Sequence, residues 1–114
     1  MKYAVLVTPQ AQLDIRGIHE FILQREGALR AGGVLQDLKN AVFSLVSTPL
    51  RGKEPVELEP LGSTDYLQIV VKPYRILYYV QGRVVQVALV ADGRRDFASL
   101  LAFRLRQPGQ WAPA

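Results

Sequence analysis

The run VVQVALVA, residues 84–91, is apolar at every position but Gln86. A strand with one wet face alternates apolar and polar side chains, so a run without alternation has to be a central strand covered on both faces. The rest of the chain must therefore build layers around it. Two segments just upstream have the period of two that sheet neighbours need. One is YLQIVV, residues 66–71. The other is YRILYYV, residues 74–80, with Tyr74, Ile76, Tyr78 and Val80 on one face and Arg75, Leu77 and Tyr79 on the other. Lys72-Pro73 makes the tight connection between them, and Gln81-Gly82 is expected as the two-residue hairpin turn into the apolar run.

The first half of the chain follows a different period. KYAVLVT reads as a first strand, pairing at an edge of the sheet or beside its last strand. Thr8 is placed to cap a helix and Pro9 to take its first position, where a missing N–H costs nothing. Ala11, Ile15, Ile18 and Ile22 then recur at helical spacing, with Phe21 widening that face, until Gly27 ends the run. A second apolar helix face follows in Ala31, Leu35, Leu38, Val42 and Leu45. Gly32 and Gly33 each cost about 1 kcal/mol against alanine, so this helix is expected to be regular from about Val34. Residues 49–65, PLRGKEPVELEPLGSTD, read as a loop with a short strand around Val56 to Leu58. A third helix is expected from about Asp96 to Arg106. The fold class is α+β: an N-terminal strand, a helical hairpin packed on a small twisted antiparallel sheet, and a closing C-terminal helix. Residues 1–107 form one domain, and residues 108–114 are a tail.

Composition removes several functions. With no cysteine and His19 as the sole imidazole, thiol chemistry and a structural zinc site are excluded, and a reducing cytoplasm suits the chain. No apolar stretch approaches the length of about 18 residues that spans a bilayer, so the expectation is a soluble cytoplasmic protein with no membrane partner. The net charge of +4 is uneven. Residues 1–71 carry seven basic and eight acidic groups, whereas residues 72–114 carry seven basic groups against Asp92 and Asp96. A positive field confined to the last third suggests an acidic or polyanionic partner on that side.

Hydrolytic chemistry finds little to work with. His19 lies within the first helix with no nucleophile elbow in the chain, and Glu54, Glu57 and Glu59 fall in a charged loop rather than at strand ends. Neither GxxxxGK[ST] nor GxGxxG occurs. Arginines are what remain. Arg75 sits on an interior strand, where an unpaired charge is costly; it either packs its stem on Tyr79 or pairs with an acid such as Asp96. Arg94 and Arg95 follow Gly93 at the end of the apolar run. Their bland reading leaves Arg94 solvated and pairs Arg95 with Asp92 or Asp96.

With this order of elements, the chain resembles the RelE/ParE superfamily of toxins from bacterial type II toxin–antitoxin systems. The segments that carry the resemblance are AQLDIRGIHEFI, LVSTPLRGKEPVEL, YLQIVVKPYRILYYV and VALVADGRRDFASLL, together covering about residues 3 to 105. The resemblance implies a growth-arresting toxin neutralised by a cognate antitoxin, with operator DNA bound only through the antitoxin, and no cofactor. The family divides over mechanism, and the one expected here is ParE-like inhibition of DNA gyrase. The alternatives are RelE-like cleavage of mRNA on the ribosome and a degenerate toxin that only binds its antitoxin.

Arg75 and Arg95 match the arginines of the nuclease members and would be catalytic only on the RelE-like reading. Gln68 and Val70 stand where those members carry paired lysines, and Leu101 stands at their C-terminal tyrosine. Lys72, Arg75, Arg94 and Arg95 are the expected target- or phosphate-binding set. An apolar groove near Leu45, Leu50 and Leu58 is expected to take an antitoxin segment that folds on binding.

Overall fold

The computed structural model describes residues 2–61 and 65–105. The elements run β1 (Ala4–Val7), α1 (Pro9–Glu26), α2 (Ala28–Ser44), a 3-10 helix (Val56–Leu61), β2 (Tyr66–Val71), β3 (Tyr74–Gln81), β4 (Val84–Asp92) and α3 (Phe97–Leu105). This is the expected α+β arrangement. The tail at 108–114 and the last residue expected in α3, Arg106, lie outside the described residues.

β4 is central, as its composition requires. The strand order is β1-β4-β3-β2, with β4 antiparallel to β3 and parallel to β1. The sheet is therefore mixed: after the helical hairpin the chain re-enters at the opposite edge as β2, and two antiparallel turns then bring β4 beside β1 in the same direction. Val85, Val87 and Val90 join the core under α1 and α2, while Ala88, Leu89 and Ala91 join a second core with Phe97 and Leu101 of α3. A register shift between Leu77 and Tyr78 makes this division possible. Leu77 pairs with Leu89 but Tyr78 pairs with Val87, so Ala88 is the extra residue of a bulge that returns Val90 to the face of Val87.

α1 begins as its sequence suggests. The Thr8 hydroxyl accepts from the Ala11 N–H at 3.2 Å, and Pro9 occupies the first turn. Ala11 and Ile22 are buried, but Phe21 turns outward, 58% exposed, beneath the Arg25 guanidinium. α2 is regular from Ala28, ahead of the start expected from the glycine pair. Gly32 and Gly33 face solvent, while Ala31 and Val34 on either side are buried, so packing carries the helix through. Val34 rather than Leu35 is the residue sealed in the core. The hairpin turn is shifted one residue from expectation: Gln81 pairs with Val84, leaving Gly82-Arg83 as the loop. Gly82, at φ 61°, takes the first loop position, where a side chain would be strained.

The segment expected as a strand near Val56 is the 3-10 helix. Leu58 N–H bonds to the carbonyl of the buried Pro55 at 3.1 Å, and Leu58 itself is sealed in the second core. The preceding loop lies against β2, where Lys53 and Gln68 exchange backbone hydrogen bonds of 3.0 and 2.7 Å.

β1 covers only Val84–Val87 of β4. Beyond it, side chains satisfy the bare strand edge. Asp14 Oδ2 accepts from Val90 N–H at 3.0 Å, and Arg104 Nη1 donates to the Ala88 carbonyl at 2.8 Å. The two side chains also pair, Nη2 to Oδ1, at 2.8 Å. One ion pair thus joins α1 to α3 around the strand edge that β1 leaves open.

Candidate functional site

The second face of the sheet holds Arg75, and its surroundings decide what it can do. Arg75 lies in β3 opposite Val70 of β2 and Ala91 of β4. Its Nη1 and Nη2 donate to Glu57 Oε2 and Oε1 at 2.8 and 2.7 Å, a two-pronged pairing. Its Nε donates to Gln68 Oε1 at 2.7 Å, and its Cζ stands 3.7 Å from the centroid of the Phe97 ring. The side chain is 13% exposed. The partner is Glu57, not Asp96. The 3-10 helix swings Glu57 over the sheet, whereas Asp96 caps α3 by accepting from Ser99 N–H at 3.1 Å and from its hydroxyl at 2.7 Å. The Arg75 hydrogen bonds hold the Glu57 carboxyl below its usual range, with burial opposing them in part. With the ion pair, Gln68 and the ring in place, each of the three Arg75 nitrogens donates within the fold, and three of its five N–H donors are committed there.

Gly93 closes this site from the side. A Cβ there would lie 2.6 Å from Arg75 Cδ and 2.9 Å from its Cγ, so the position excludes a side chain while the arginine stays in place. The Gly93 N–H also donates to the Pro73 carbonyl at 2.8 Å. That bond joins the β2–β3 turn to the end of β4, and it brings Lys72 together with Asp92, Arg94 and Arg95.

The doubled arginine divides its work in the reverse of the bland expectation. Arg94 is the paired one: Nε and Nη2 donate to Asp92 Oδ1 and Oδ2 at 3.0 and 2.6 Å, and its backbone N–H adds a third bond at 2.9 Å. The Arg94 hydrogen bonds hold the Asp92 carboxyl below its ordinary value, with burial opposing them in part. The Arg95 side chain is exposed and hydrogen-bonds to no described residue. Lys72 is exposed as well. Lys72, Arg94 and Arg95 therefore share one rim at the end of the sheet, and Arg75 lies beside it, sealed beneath α3.

The three leucines expected to line one groove do not share a surface. Leu45 is buried under the helical hairpin and Leu58 on the opposite face of the sheet, while Leu50 stands 70% exposed in the loop. Both buried leucines complete cores, so neither is open to a ligand. A groove does exist elsewhere. It runs along β1, is lined by Val5, Val7, Ile15, Val42, Phe43 and Val46 with Lys39 at its margin, and has a volume of about 1040 Å³. β1 ends the sheet on this side. Ala4 and Thr8 donate to the carbonyls of Arg83 and Val87, so strand alternation turns the amide groups of Val5 and Val7 outward. Gln12 Nε2 reaches the Val7 carbonyl at 2.9 Å. The sequence hint of this site was Phe43, an aromatic off the apolar face of α2, which stands 72% exposed.

Among the described residues no group of three or more His, Cys, Asp or Glu is placed to hold a metal ion. No described helix is long and apolar enough to cross a membrane.

Comparison with known proteins adds an independent line. The family described as "ParE toxin of type II toxin-antitoxin system, parDE" matches residues 5–97. No curated protein matches the sequence. Among solved structures, the chromosomal ParDE TA system from P. aeruginosa superposes with a TM-score of 0.67 at 17% identity, covering 80% of this chain and 96% of that one. The toxin–antitoxin complex RelBE2 from Mycobacterium tuberculosis gives 0.58 at 21% identity, covering 81% and 99%. The E. coli toxin RelE, with two arginines changed to alanine and in the free state, gives 0.61 at 17% identity, covering 93% and 99%. At these identities the likeness is one of fold.

Proposed function

The chain belongs to the ParE toxin family of type II toxin–antitoxin systems, within the RelE/ParE superfamily, and from that premise we propose that it arrests growth by inhibiting DNA gyrase rather than by cutting RNA. The observation that carries this reading is the capture of Arg75. Metal-independent cleavage of a phosphodiester has to deprotonate a 2′-hydroxyl, stabilise charge on phosphorus and protonate the leaving oxygen. Arg75 would be the strand cation for the second of these tasks, and its guanidinium is committed to Glu57 and Gln68. Leu101, at the position of the nuclease tyrosine, is sealed in the core and has no proton to give. Arg95 is open to solvent, but arginine keeps its proton at neutral pH and makes a poor general base or acid. On this reading Lys72, Arg94 and Arg95 are a docking surface and not a catalytic set.

The partner that restrains such a toxin is its cognate antitoxin, acting in the cytoplasm. The groove along β1 supports that assignment better than the leucines first considered. An extended segment can pair with the outward amides of Val5 and Val7 while setting apolar side chains against Val42 and Phe43. Operator DNA then enters through the antitoxin.

The test is a gyrase supercoiling and DNA-cleavage assay on the purified toxin, with and without ATP. Blocked supercoiling or trapped double-strand breaks are the expected result. A folded, toxic protein that leaves gyrase untouched would overturn the reading and direct the search to ribosome-dependent mRNA cleavage.

A further inference from the structure

The rim at the end of β4 has a charge pattern that the gyrase reading does not explain by itself. Three cations, Lys72, Arg94 and Arg95, share this rim with one carboxylate, Asp92, which Arg94 pairs. The link is structural: the Gly93–Pro73 hydrogen bond of 2.8 Å holds the Lys72 turn against the Arg94-Arg95 segment. Asp92 occupies the fork of Arg94, and Lys72 and Arg95 are exposed and form no ion pair among the described residues, although the Arg95 charge also acts on Asp92. The tip of the helical hairpin borders the same rim, because the charges of Glu26, Arg30 and Arg94 all act on the Tyr74 hydroxyl. There Arg30 is balanced by Glu26 at 3.7 Å.

We propose that this rim is a docking site for an acidic protein segment, in which Lys72 and Arg95 bind carboxylates and Arg94, fixed by Asp92, orients the approach. Charge complementarity names the class of partner, and two further features favour carboxylates over a nucleic-acid backbone. First, the rim has a net charge of only +2 with acids interleaved, whereas proteins that hold nucleic acid by its phosphates commonly neutralise about six to ten of them. A continuous phosphate chain would meet Asp92 and Glu26 as well as the cations. Second, single-strand binders add aromatic faces on which bases stack. The aromatic ring at this rim, Tyr74, is packed against the core. The Arg94–Asp92 contact is itself an example of the fork-on-carboxylate geometry that Arg95 is open to form.

The site lies at the Asp92 end of β4, while β1 and its groove pair with the Val84 end. Filling one does not require vacating the other. The inference also stands apart from the identity of the toxin's target, because it is read in a binding assay that contains no gyrase.

The experiment measures fluorescence anisotropy of a labelled peptide of eight alternating Asp and Glu residues as the full-length protein is added, with an unlabelled 20-base single strand of DNA as competitor. Three proteins are compared at matched salt: the parent, Lys72→Glu/Arg95→Glu, and Lys2→Glu/Arg83→Glu. The last changes the charge equally at the opposite end of the sheet. Circular dichroism and a urea midpoint confirm that each is folded. The expected result is peptide binding that weakens at least tenfold in Lys72→Glu/Arg95→Glu and less than threefold in Lys2→Glu/Arg83→Glu, with DNA competing poorly. Equal weakening in both variants would reduce the effect to bulk charge and overturn the site. No peptide binding by the parent, or displacement by DNA at lower concentration than by unlabelled peptide, would overturn the acidic-protein assignment.

Discussion

Arg75 and Glu57 meet fork to fork across 18 residues of chain, with Nη1–Oε2 and Nη2–Oε1 distances of 2.8 and 2.7 Å. The contact fastens the 3-10 helix to β3 and places a guanidinium under α3 without leaving it unpaired. Glu57→Gln keeps the shape but removes the charge, and it is expected to cost about 1.5–3 kcal/mol in urea unfolding. The pH dependence follows from the direction of the shift. The Glu57 carboxyl is held below its ordinary value of 4.5, so the stabilisation is complete above that value and is lost as pH falls through the folded-state value. Stability of the parent should therefore decline below about pH 4.5 more steeply than that of Glu57→Gln.

The Asp14–Arg104 pair predicts a non-additive pair of substitutions. Arg104→Met removes the partner of a largely buried carboxylate and the donor to the Ala88 carbonyl, and it is expected to cost about 3 kcal/mol. Asp14→Leu does similar damage by removing the carboxylate that pairs with Arg104 and accepts from the Val90 N–H. The double variant should lose less than the sum of the two. A double-mutant cycle in urea checks this, and strict additivity would show that the pair is not a coupled lock.

Gly93→Ala tests the close approach of Arg75. The new Cβ would sit 2.6 Å from Arg75 Cδ, so the expected cost is about 1–3 kcal/mol of overpacking. In an Arg75→Ala background most of that additional cost should vanish, because the two closest atoms are gone and only the Pro73 carbonyl oxygen at 3.3 Å remains. Thermal unfolding of the four proteins in the cycle gives the answer.

Phe43→Glu addresses the groove along β1. Phe43 is exposed, so the substitution should leave the unfolding midpoint nearly unchanged. It places a charge where an antitoxin segment would lay apolar side chains, and the dissociation constant of the toxin–antitoxin pair should rise at least tenfold by calorimetry. Leu58→Glu makes the contrast: it is buried, so it should unfold the protein rather than weaken the complex selectively.

Much of the fold is legible in the sequence. The Thr8-Pro9 start of α1, the period of two in β2 and β3, and the central place of β4 each depend on residues close together in the chain. Errors occurred where packing overrode such local rules. The glycine pair of α2 is carried by Ala31 and Val34, and the 3-10 helix occupies the place of the expected strand, with Pro55 buried and Leu58 sealed in the second core. The expected groove failed for a related reason. Leucines at 45 and 58 are apolar on any scale, but only the sheet between them shows that they bury on opposite sides.

By itself the sequence determined the order of elements, the strand that must be central, the superfamily and the basic character of its last third. The superfamily came from the resemblance of whole segments; the other properties follow from periodicity, capping and composition, which are local. Only the tertiary structure decided that Glu57 neutralises Arg75, that Asp92 takes Arg94 and leaves Arg95 open, and that β1 leaves an edge with a groove beside it. Charges select partners by distance in space, and a strand edge is open or closed according to what packs next to it. Neither quantity is carried by the neighbours of a residue along the chain.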